Sequence, residues 1–237
     1  MGTSSRQPAP TGGEWTTAKT RLTNWARGGG TNSDLATAAL SAFVGALGGA
    51  TAAASQATGG VRATAGLGDF LADVGRDGLD ETLDRYGLAD LVGGEPVEVL
   101  GEVAGRIVGA GETTEEAVAR DALISVLNEI FEEPDSYDDL EAIVVDADRL
   151  REFVALYLIE YIFERVLHEL GDRIRDNVSP TDAPAYERRL HEDVAALVRL
   201  DLSTIADPLT FGWQTDAGRA RCRELLAEAL RMLTLEE

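Results

Sequence analysis

Five carboxylate and imidazole side chains recur at helical spacing in two neighbouring stretches of the sequence. Glu160, Glu164 and His168 stand at i, i+4 and i+8, a spacing that brings them onto one face of a helix. His191 and Glu192 lie in the next predicted helix, so the five side chains could together bind a metal ion. The di-iron pattern of helix bundles needs Glu-x-x-His on two helices, and neither histidine has it. The zinc-protease motif His-Glu-x-x-His is also absent, so we predict no metal site.

Two interpretations of these side chains stay open. In the first, they form a solvated helix face on which Glu160 pairs with an arginine. In the second, the chain is a helical metalloenzyme that uses Glu164, His168 and His191. Metal analysis of the purified protein distinguishes the two.

Nucleophilic and phosphate-binding motifs are missing from the sequence. Cys222 is the only cysteine, and it shares an apolar helix face with several leucines, which is typical of a core residue. No Gly-x-Ser-x-Gly elbow is present. The glycine pair within residues 59–62 lacks the Lys-Ser/Thr of a P-loop, so it favours packing or a turn. We therefore expect a body that is not an enzyme and binds no cofactor.

The most distinctive reactive atom that the sequence predicts is the amine of Gly2. The initiator Met1 is normally removed before so small a residue, which would leave a free α-amine. An α-amine has a pKa of about 8, so about a tenth of it is uncharged and nucleophilic at neutral pH. Residues 1–13 have two prolines and no apolar periodicity, which predicts a flexible arm. Many proteins begin Met-Gly without using this amine, and that interpretation also stays open.

The charge balance argues against one large class of function. The 237 residues include 42 acidic and 21 basic side chains, for a net charge of −21, and Lys19 is the only lysine. With no basic stripe, we expect no direct binding to nucleic acid. The composition is typical of a cytoplasm with high salt, where charge repulsion is screened. No stretch resembles a membrane span and Arg6 departs from the myristoylation pattern, so we expect a soluble cytoplasmic protein.

Helical periodicity of apolar residues runs through most of the chain and predicts an all-α fold. We divide the chain into a flexible N-terminal arm with a short amphipathic helix, residues 1–30, and a single compact multi-helix domain, residues 31–237. Residues 153–163 are apolar on nearly every face, which predicts the central helix. Thr113 and Glu116 form a capping box, and Ser136 starts a short helix. Ser33 and Asp216 are the predicted N-caps of two further helices. The other predicted helices cover residues 14–27, 34–47, 51–74, 79–86, 95–108, 114–132, 146–175, 185–200 and 216–235.

The first predicted helix carries the arm and has its own apolar face. Trp15, Leu22 and Trp25 lie on that face at helical spacing. These side chains could pack on the body of the same chain, or they could dock on a partner protein. Both possibilities stay open from the sequence.

Several stretches of the chain resemble the QatB family of the Qat antiphage defence system. The resemblance covers most of the chain in outline. It rests on the opening Met1-Gly2-Thr3-Ser4, the small residues at 48–50, the segment 66–74, the run Thr114-Glu115-Glu116-Ala117-Val118-Ala119-Arg120-Asp121-Ala122 and the apolar helix at 153–167.

The resemblance implies a function in which the body does no chemistry. Qat systems combine an ATPase, QatB, a QueC-like enzyme (QatC-like) and a TatD-like nuclease. QueC-like enzymes activate a deazaguanine carboxylate with ATP and normally join it to ammonia. A QatB-like chain would bind that enzyme and offer the amine of Gly2 instead, with Thr3, Ser4 and Ser5 as the segment that the enzyme recognises. The ATPase and the nuclease are further candidate partners, and a purely structural helical adaptor is the alternative function.

Overall fold

Every regular element of the described chain is helical, as the apolar periodicity predicts. The computed structural model describes residues 12–109, 111–131 and 134–234. Within them lie twelve α-helices and one 3₁₀ turn, Ala89–Leu91, and no strand. The helices are α1 (Gly12–Arg27), α2 (Ser33–Ala46), α3 (Ala50–Gln56), α4 (Thr58–Asp77), α5 (Leu79–Arg85), α6 (Pro96–Val108), α7 (Thr114–Ile130), α8 (Tyr137–Glu141), α9 (Ala147–Leu170), α10 (Asp172–Arg175), α11 (Ala183–Leu197) and α12 (Asp216–Met232).

The centre of the molecule is α4, a helix made largely of small residues. Fourteen of its 20 residues are buried, whereas the apolar helix α9 buries ten of its 24. The sequence therefore predicted the wrong central helix. Glycine and alanine add little to an apolar pattern, yet they are the residues that let several neighbours approach one helix closely.

Three glycines of α4 are sites of close contact with large side chains. At Gly60 an added Cβ would lie 2.5 Å from Cζ of Tyr161 in α9. At Gly66 it would overlap the side chain of Ile107, and at Gly68 the ring of Trp213. The absence of a side chain at these positions is what lets α6, α9 and the segment before α12 pack against α4.

The predicted helix over residues 51–74 is broken in the structure. The break lies at Ala57, whose ψ of 62° is not helical, and it separates α3 from α4. The backbone N–H groups of Gly59 and Gly60 donate to the carboxylate of Glu115, at 2.6 and 2.9 Å. These two N–H groups are in the first turn of α4, where a helix has no internal acceptors, so a distant carboxylate takes that role.

The predicted helix over residues 146–175 is also divided. Asp146 caps α9, because its carboxylate accepts hydrogen bonds from the N–H groups of Asp148 and Arg149. Gly171 separates α9 from the single turn α10. The capping box predicted at Thr113 is present, and Ser136, which was predicted to start a helix, also forms a capping box.

Two predicted caps are displaced by one residue. Asn32 rather than Ser33 caps α2, and Thr215 rather than Asp216 caps α12. Each observed cap has an extended backbone and a side chain that accepts from an N–H group of the first turn. Neighbouring polar residues can both serve as caps by composition, so only the backbone geometry separates them.

Contacts along α4 define two ends of the molecule. At its N-terminal end lie Glu115, at the start of α7, and Tyr161, in the second half of α9. The guanidinium of Arg62 also donates there to the carbonyl oxygen of Val108, the last residue of α6. At its C-terminal end the backbone of Gly75 meets the carbonyl of Val145, just before α9. Helix α7 therefore runs parallel to α4, and α6 and α9 run antiparallel to it.

One hydrophobic core includes buried residues from α1 through the end of α12. Its first and last members along the chain are Ala18 and Leu233. Ala18, Leu22, Trp25 and Ala26 of α1 belong to this core. The predicted boundary between the arm and the domain, at residues 30 and 31, therefore separates α1 from helices that share the same hydrophobic core.

No single helix in the described ranges has the length and apolarity needed to cross a membrane; α2 and α3 meet that test only jointly, as a pair bent by 62°.

Replacing Gly60 with alanine is expected to destabilise the fold. The new methyl group would overlap the Tyr161 ring, and such overpacking costs about 1–3 kcal/mol of unfolding free energy. Gly101→Ala in α6 is the matched control, because no atom lies within 4 Å of its added Cβ. We expect the control to be neutral or stabilising by about 0.5–1 kcal/mol. Urea unfolding followed by circular dichroism measures both, and equal effects would contradict the close-contact account.

Candidate functional site

The C-terminal end of α1 is held in place by α11. The rings of Trp25 and Tyr186 pack edge to face with their centroids 5.9 Å apart. The guanidinium of Arg189 donates to the carbonyl oxygen of Gly29 at 3.0 Å. Gly30 has a φ of 66° and lies so close to Tyr186 that an added Cβ would be 2.5 Å from the ring. The glycine run after α1 therefore forms a close contact with α11.

The N-terminal end of α1 packs against α2. Trp15 is half-buried, and its ring lies 6.1 Å from that of Phe43 in an edge-to-face arrangement. The guanidinium of Arg21 donates to the carbonyl oxygen of Ala38 at 2.9 Å. Both ends of the helix are thus attached to the body.

The sequence left open whether Trp15, Leu22 and Trp25 pack on the same chain or on a partner protein. In the structure they pack on the same chain. Leu22 is 1% exposed and Trp25 is 0% exposed, both within the core of the same chain. Only Trp15 keeps partial exposure. A partner protein would have to displace α1 to reach Leu22 or Trp25, so these two side chains are packing residues in this fold.

The predicted acceptor Gly2 and the predicted recognition residues Thr3, Ser4 and Ser5 lie outside the described residues. The description begins at Gly12, the first residue of α1. Ten residues of fully extended chain span at most about 36 Å. Gly2 is therefore within about 36 Å of the start of α1.

The carboxylate–imidazole set predicted from spacing is only partly assembled. His191 Nε2 and Glu160 Oε2 are 2.8 Å apart, which joins α11 to α9. The partner that we expected for Glu160, an arginine, was wrong. His191 also packs edge to face on Phe163, with ring centroids 4.8 Å apart. The pair therefore connects two helices through both a polar and an aromatic contact.

Charge around this pair is mainly negative. The hydrogen bond to Glu160 raises the pKa of His191 above its usual value, although burial opposes this. Burial raises the pKa of Glu164, and the nearby carboxylate of Glu160 adds to the effect. Both shifts favour the protonated forms of the two side chains, which reduces repulsion among the carboxylates.

The remaining member of the predicted set lies elsewhere. His168 is exposed and lines a cleft of about 410 Å³ beside the break between α3 and α4. In the part of the chain that the structure describes, no group of three or more ligating side chains could hold a metal ion. The structure therefore does not bring Glu164, His168 and His191 together as the ligands of one metal ion.

A partly buried carboxylate that was not among the predicted site residues connects three helices. Glu115 of α7 accepts from two N–H groups of α4 and from the hydroxyl of Tyr161 in α9, the last at 2.7 Å. Burial raises the pKa of Tyr161, which keeps its hydroxyl protonated as a donor. A signal was present in the glycine pair at the start of α4, because a helix N-terminus attracts an anion. Here the anion is a side chain of the same protein.

Cys222 is a core residue, as its helix face predicts. It is buried as a free thiol in α12. Burial raises the pKa of the thiol to about 12, so the nucleophilic thiolate is scarce at neutral pH.

The fold and these sites define an all-α protein in which partly buried polar side chains join different helices through hydrogen bonds. The model of one protein family, the Qat anti-phage system associated protein QatB, matches residues 48–233. The chain therefore belongs to the QatB family, and it is a component of a Qat antiphage defence system. The match includes α4, α7 and α9, which are the helices that Glu115 connects.

No curated protein sequence and no solved structure matches the chain.

Replacing Glu115 with glutamine is expected to lower the unfolding free energy by about 1–3 kcal/mol. Both carboxylate oxygens accept hydrogen bonds, and an amide presents one acceptor and one donor, so one donor would lose its partner. Glu112→Gln, at an exposed neighbouring position, is the control and should have little effect. Chemical unfolding of the two variants measures the difference. A Glu115→Gln variant as stable as the control would show that the carboxylate is not a structural anchor.

The contact between His191 and Glu160 is expected to make stability depend on pH. The pKa of His191 is higher in the folded chain than its unfolded value near 6.5. Its stabilising effect is therefore complete below about pH 6.5 and is lost as the pH rises through the raised pKa. Thermal unfolding of the unmodified chain and of His191→Gln across this range measures the effect. Their difference should shrink with rising pH, and a constant difference would contradict the coupling.

Proposed function

We propose that the chain binds a QueC-like partner enzyme and presents the α-amine of Gly2 as the acceptor for a deazaguanine-type group. Membership of the QatB family supports this proposal most directly, because it places the chain in a Qat system. The reaction takes place in the cytoplasm. The acidic, lysine-poor composition suits a cytoplasm with high salt, and the chain makes no direct contact with nucleic acid.

The proposed bond is an amide. The QueC-like enzyme activates the carboxylate of its substrate with ATP, and the uncharged amine of Gly2 attacks the activated carbonyl carbon. The activating phosphate group leaves, the C–N bond forms, and the amine releases a proton. Ammonia attacks the same activated carbon in the usual reaction of QueC-like enzymes, and the amine of Gly2 takes its place as the nitrogen nucleophile. An α-amine suits this role because its pKa of about 8 leaves it partly uncharged at neutral pH.

The position of α1 supports the proposal by limiting where the partner sits. Its two ends are attached to α11 and α2, so the start of the described chain has a defined place on the body. Gly2 lies within about 36 Å of that place, so the pocket of the enzyme must open within the same distance. Thr3, Ser4 and Ser5 would follow Gly2 into the pocket, since their side chains are small and form hydrogen bonds.

A purely structural adaptor is the second candidate function. The observation behind it is that the matched family region, residues 48–233, lies within the helical body and does not include Gly2. In this alternative the body holds other parts of the defence complex together, including the ATPase and the TatD-like nuclease.

Intact mass spectrometry tests the amine proposal. We expect the chain, co-expressed with its QueC-like enzyme, to lack Met1 and to gain the mass of one deazaguanine acyl group. The variant Lys19→Arg removes the only lysine, so its α-amine is the only remaining primary amine. This variant should be modified as fully as the original chain.

Two further results separate the candidates. A plain mass for the Met-cleaved chain, with or without Lys19, would reject the acceptor role. Deletion of residues 2–6 should abolish phage protection if the amine is used, and it should leave protection intact if the chain is only an adaptor.

A further inference from the structure

The negative charge of the protein is concentrated in the middle of the chain. Residues 77–148 contain 21 of the 42 acidic side chains and only three of the 21 basic ones. Residues 1–76 contain four acidic and six basic side chains. If acidic residues served only to hydrate the surface, they would be spread along the chain. Their concentration indicates a local role.

The fold gathers much of this segment at the C-terminal end of α4. Helix α5 follows α4 directly, and the Tyr137 hydroxyl of α8 donates to the carboxylate of Asp80 in α5 at 2.5 Å. Because α6 and α9 run antiparallel to α4, they begin at this end, and the parallel α7 finishes there. We call the exposed residues that the chain direction places at this end, Asp90, Val92, Glu95, Val97, Glu98, Asp138 and Val144, the acidic end.

Exposed apolar side chains lie within the acidic end. In the described ranges only four large apolar side chains are exposed, and three of them are here: Val97 at 81%, Val144 at 66% and Val92 at 42%. The fourth, Leu35, is in α2. Large exposed apolar groups surrounded by polar ones are typical of protein interaction sites.

The carboxylates around these valines are available to a partner. Among the described residues, the nearby Arg76 and Arg85 are both paired with Asp73 and Asp77. No ion pair in the described ranges includes Asp90, Glu95, Glu98 or Asp138, and all four are exposed.

A cleft of about 380 Å³ opens at the same end, between the end of α7, α8 and the start of α9. Ile130, Phe131 and Ile143 provide apolar walls, and Asp135 and Asp139 provide carboxylates. Arg149 also lines it, but its guanidinium donates to the carbonyl oxygen of Val144 and lies over the ring of Phe153. Apolar walls with acidic groups suit a long basic side chain, whose stem packs while its charge meets a carboxylate.

We propose that the acidic end is a docking surface for a partner protein whose contact surface combines arginine or lysine with apolar side chains. The apolar groups cover Val97 and Val144, one basic side chain enters the cleft, and the others face Glu95, Glu98 and Asp138. Two copies of this chain cannot pair through this surface, because like charges would meet. Nucleic acid does not fit either, because its phosphates are negative. This docking does not involve Gly2, so it goes beyond the proposed modification.

Binding of synthetic peptides tests the chemistry of this surface. The first probe is a fluorescent amphipathic helix of arginine and leucine, and the second has the same charge with serine in place of leucine. We expect the first peptide to bind the full chain more tightly by fluorescence anisotropy at about 0.1 M salt. Val97→Ser combined with Val144→Ser should remove that difference, since both side chains are exposed and their loss should not unfold the protein.

Charge reversal provides the matched comparison. Glu95→Lys with Glu98→Lys should weaken binding of the first peptide about tenfold at low salt. Glu169→Lys with Asp176→Lys makes the same change in charge at exposed positions beyond Tyr161, toward the other end of the molecule, and should have a much smaller effect. At about 1 M salt, where the screening length falls to about 3 Å, the difference between the two variants should shrink.

Three outcomes would overturn the proposal. They are equal weakening by the two charge reversals, equal binding of the two peptides, and no change on replacing the valines. Any of them would show that the peptides respond only to the net charge of the protein and not to a specific docking surface. None of these measurements depends on an N-terminal modification, so their failure would not count against the proposed role of Gly2.

Discussion

The surface of α4 is the constraint on which the rest of the structure depends. Its glycines have no side chains, so large residues such as Tyr161 and Trp213 pack directly against its backbone. The same helix begins directly after the non-helical residue Ala57, so its first N–H groups need an acceptor from elsewhere. Glu115 provides it and also accepts from Tyr161. Apolar packing and a partly buried carboxylate therefore position α4, α7 and α9 together.

This arrangement explains why the body has polar clusters without an assembled ligand site in the described residues. The helix N-terminus that could attract a phosphate is occupied by the protein's own carboxylate. The imidazole of His191 is likewise engaged with Glu160 and Phe163. Polar groups that are removed from water need hydrogen-bond partners, and Glu115 and His191 find theirs on other helices of the same chain. The reactive group that we propose is accordingly at the terminus, with the body as its support.

The acidic residues are distributed unevenly over the body, so its two ends differ in charge. The helix termini at the C-terminal end of α4 collect much of the acidic segment together with the three exposed valines of the described residues. Helix α1 is attached instead through α2 and α11. A partner that acts on the N-terminal residues and a partner that binds the acidic end would therefore use different parts of the surface.

The sequence by itself determined the helical class, most helix positions, the capping box at Thr113, the helix start at Ser136, the buried Cys222 and the family, because these depend on local spacing and residue type. Only the tertiary structure decided that α4 is central, that its helix breaks at Ala57, and that Glu160 pairs with His191. It also decided that Leu22 and Trp25 pack inside the chain. Each of these depends on a contact between residues far apart in sequence, and periodicity along one helix carries no information about its neighbour.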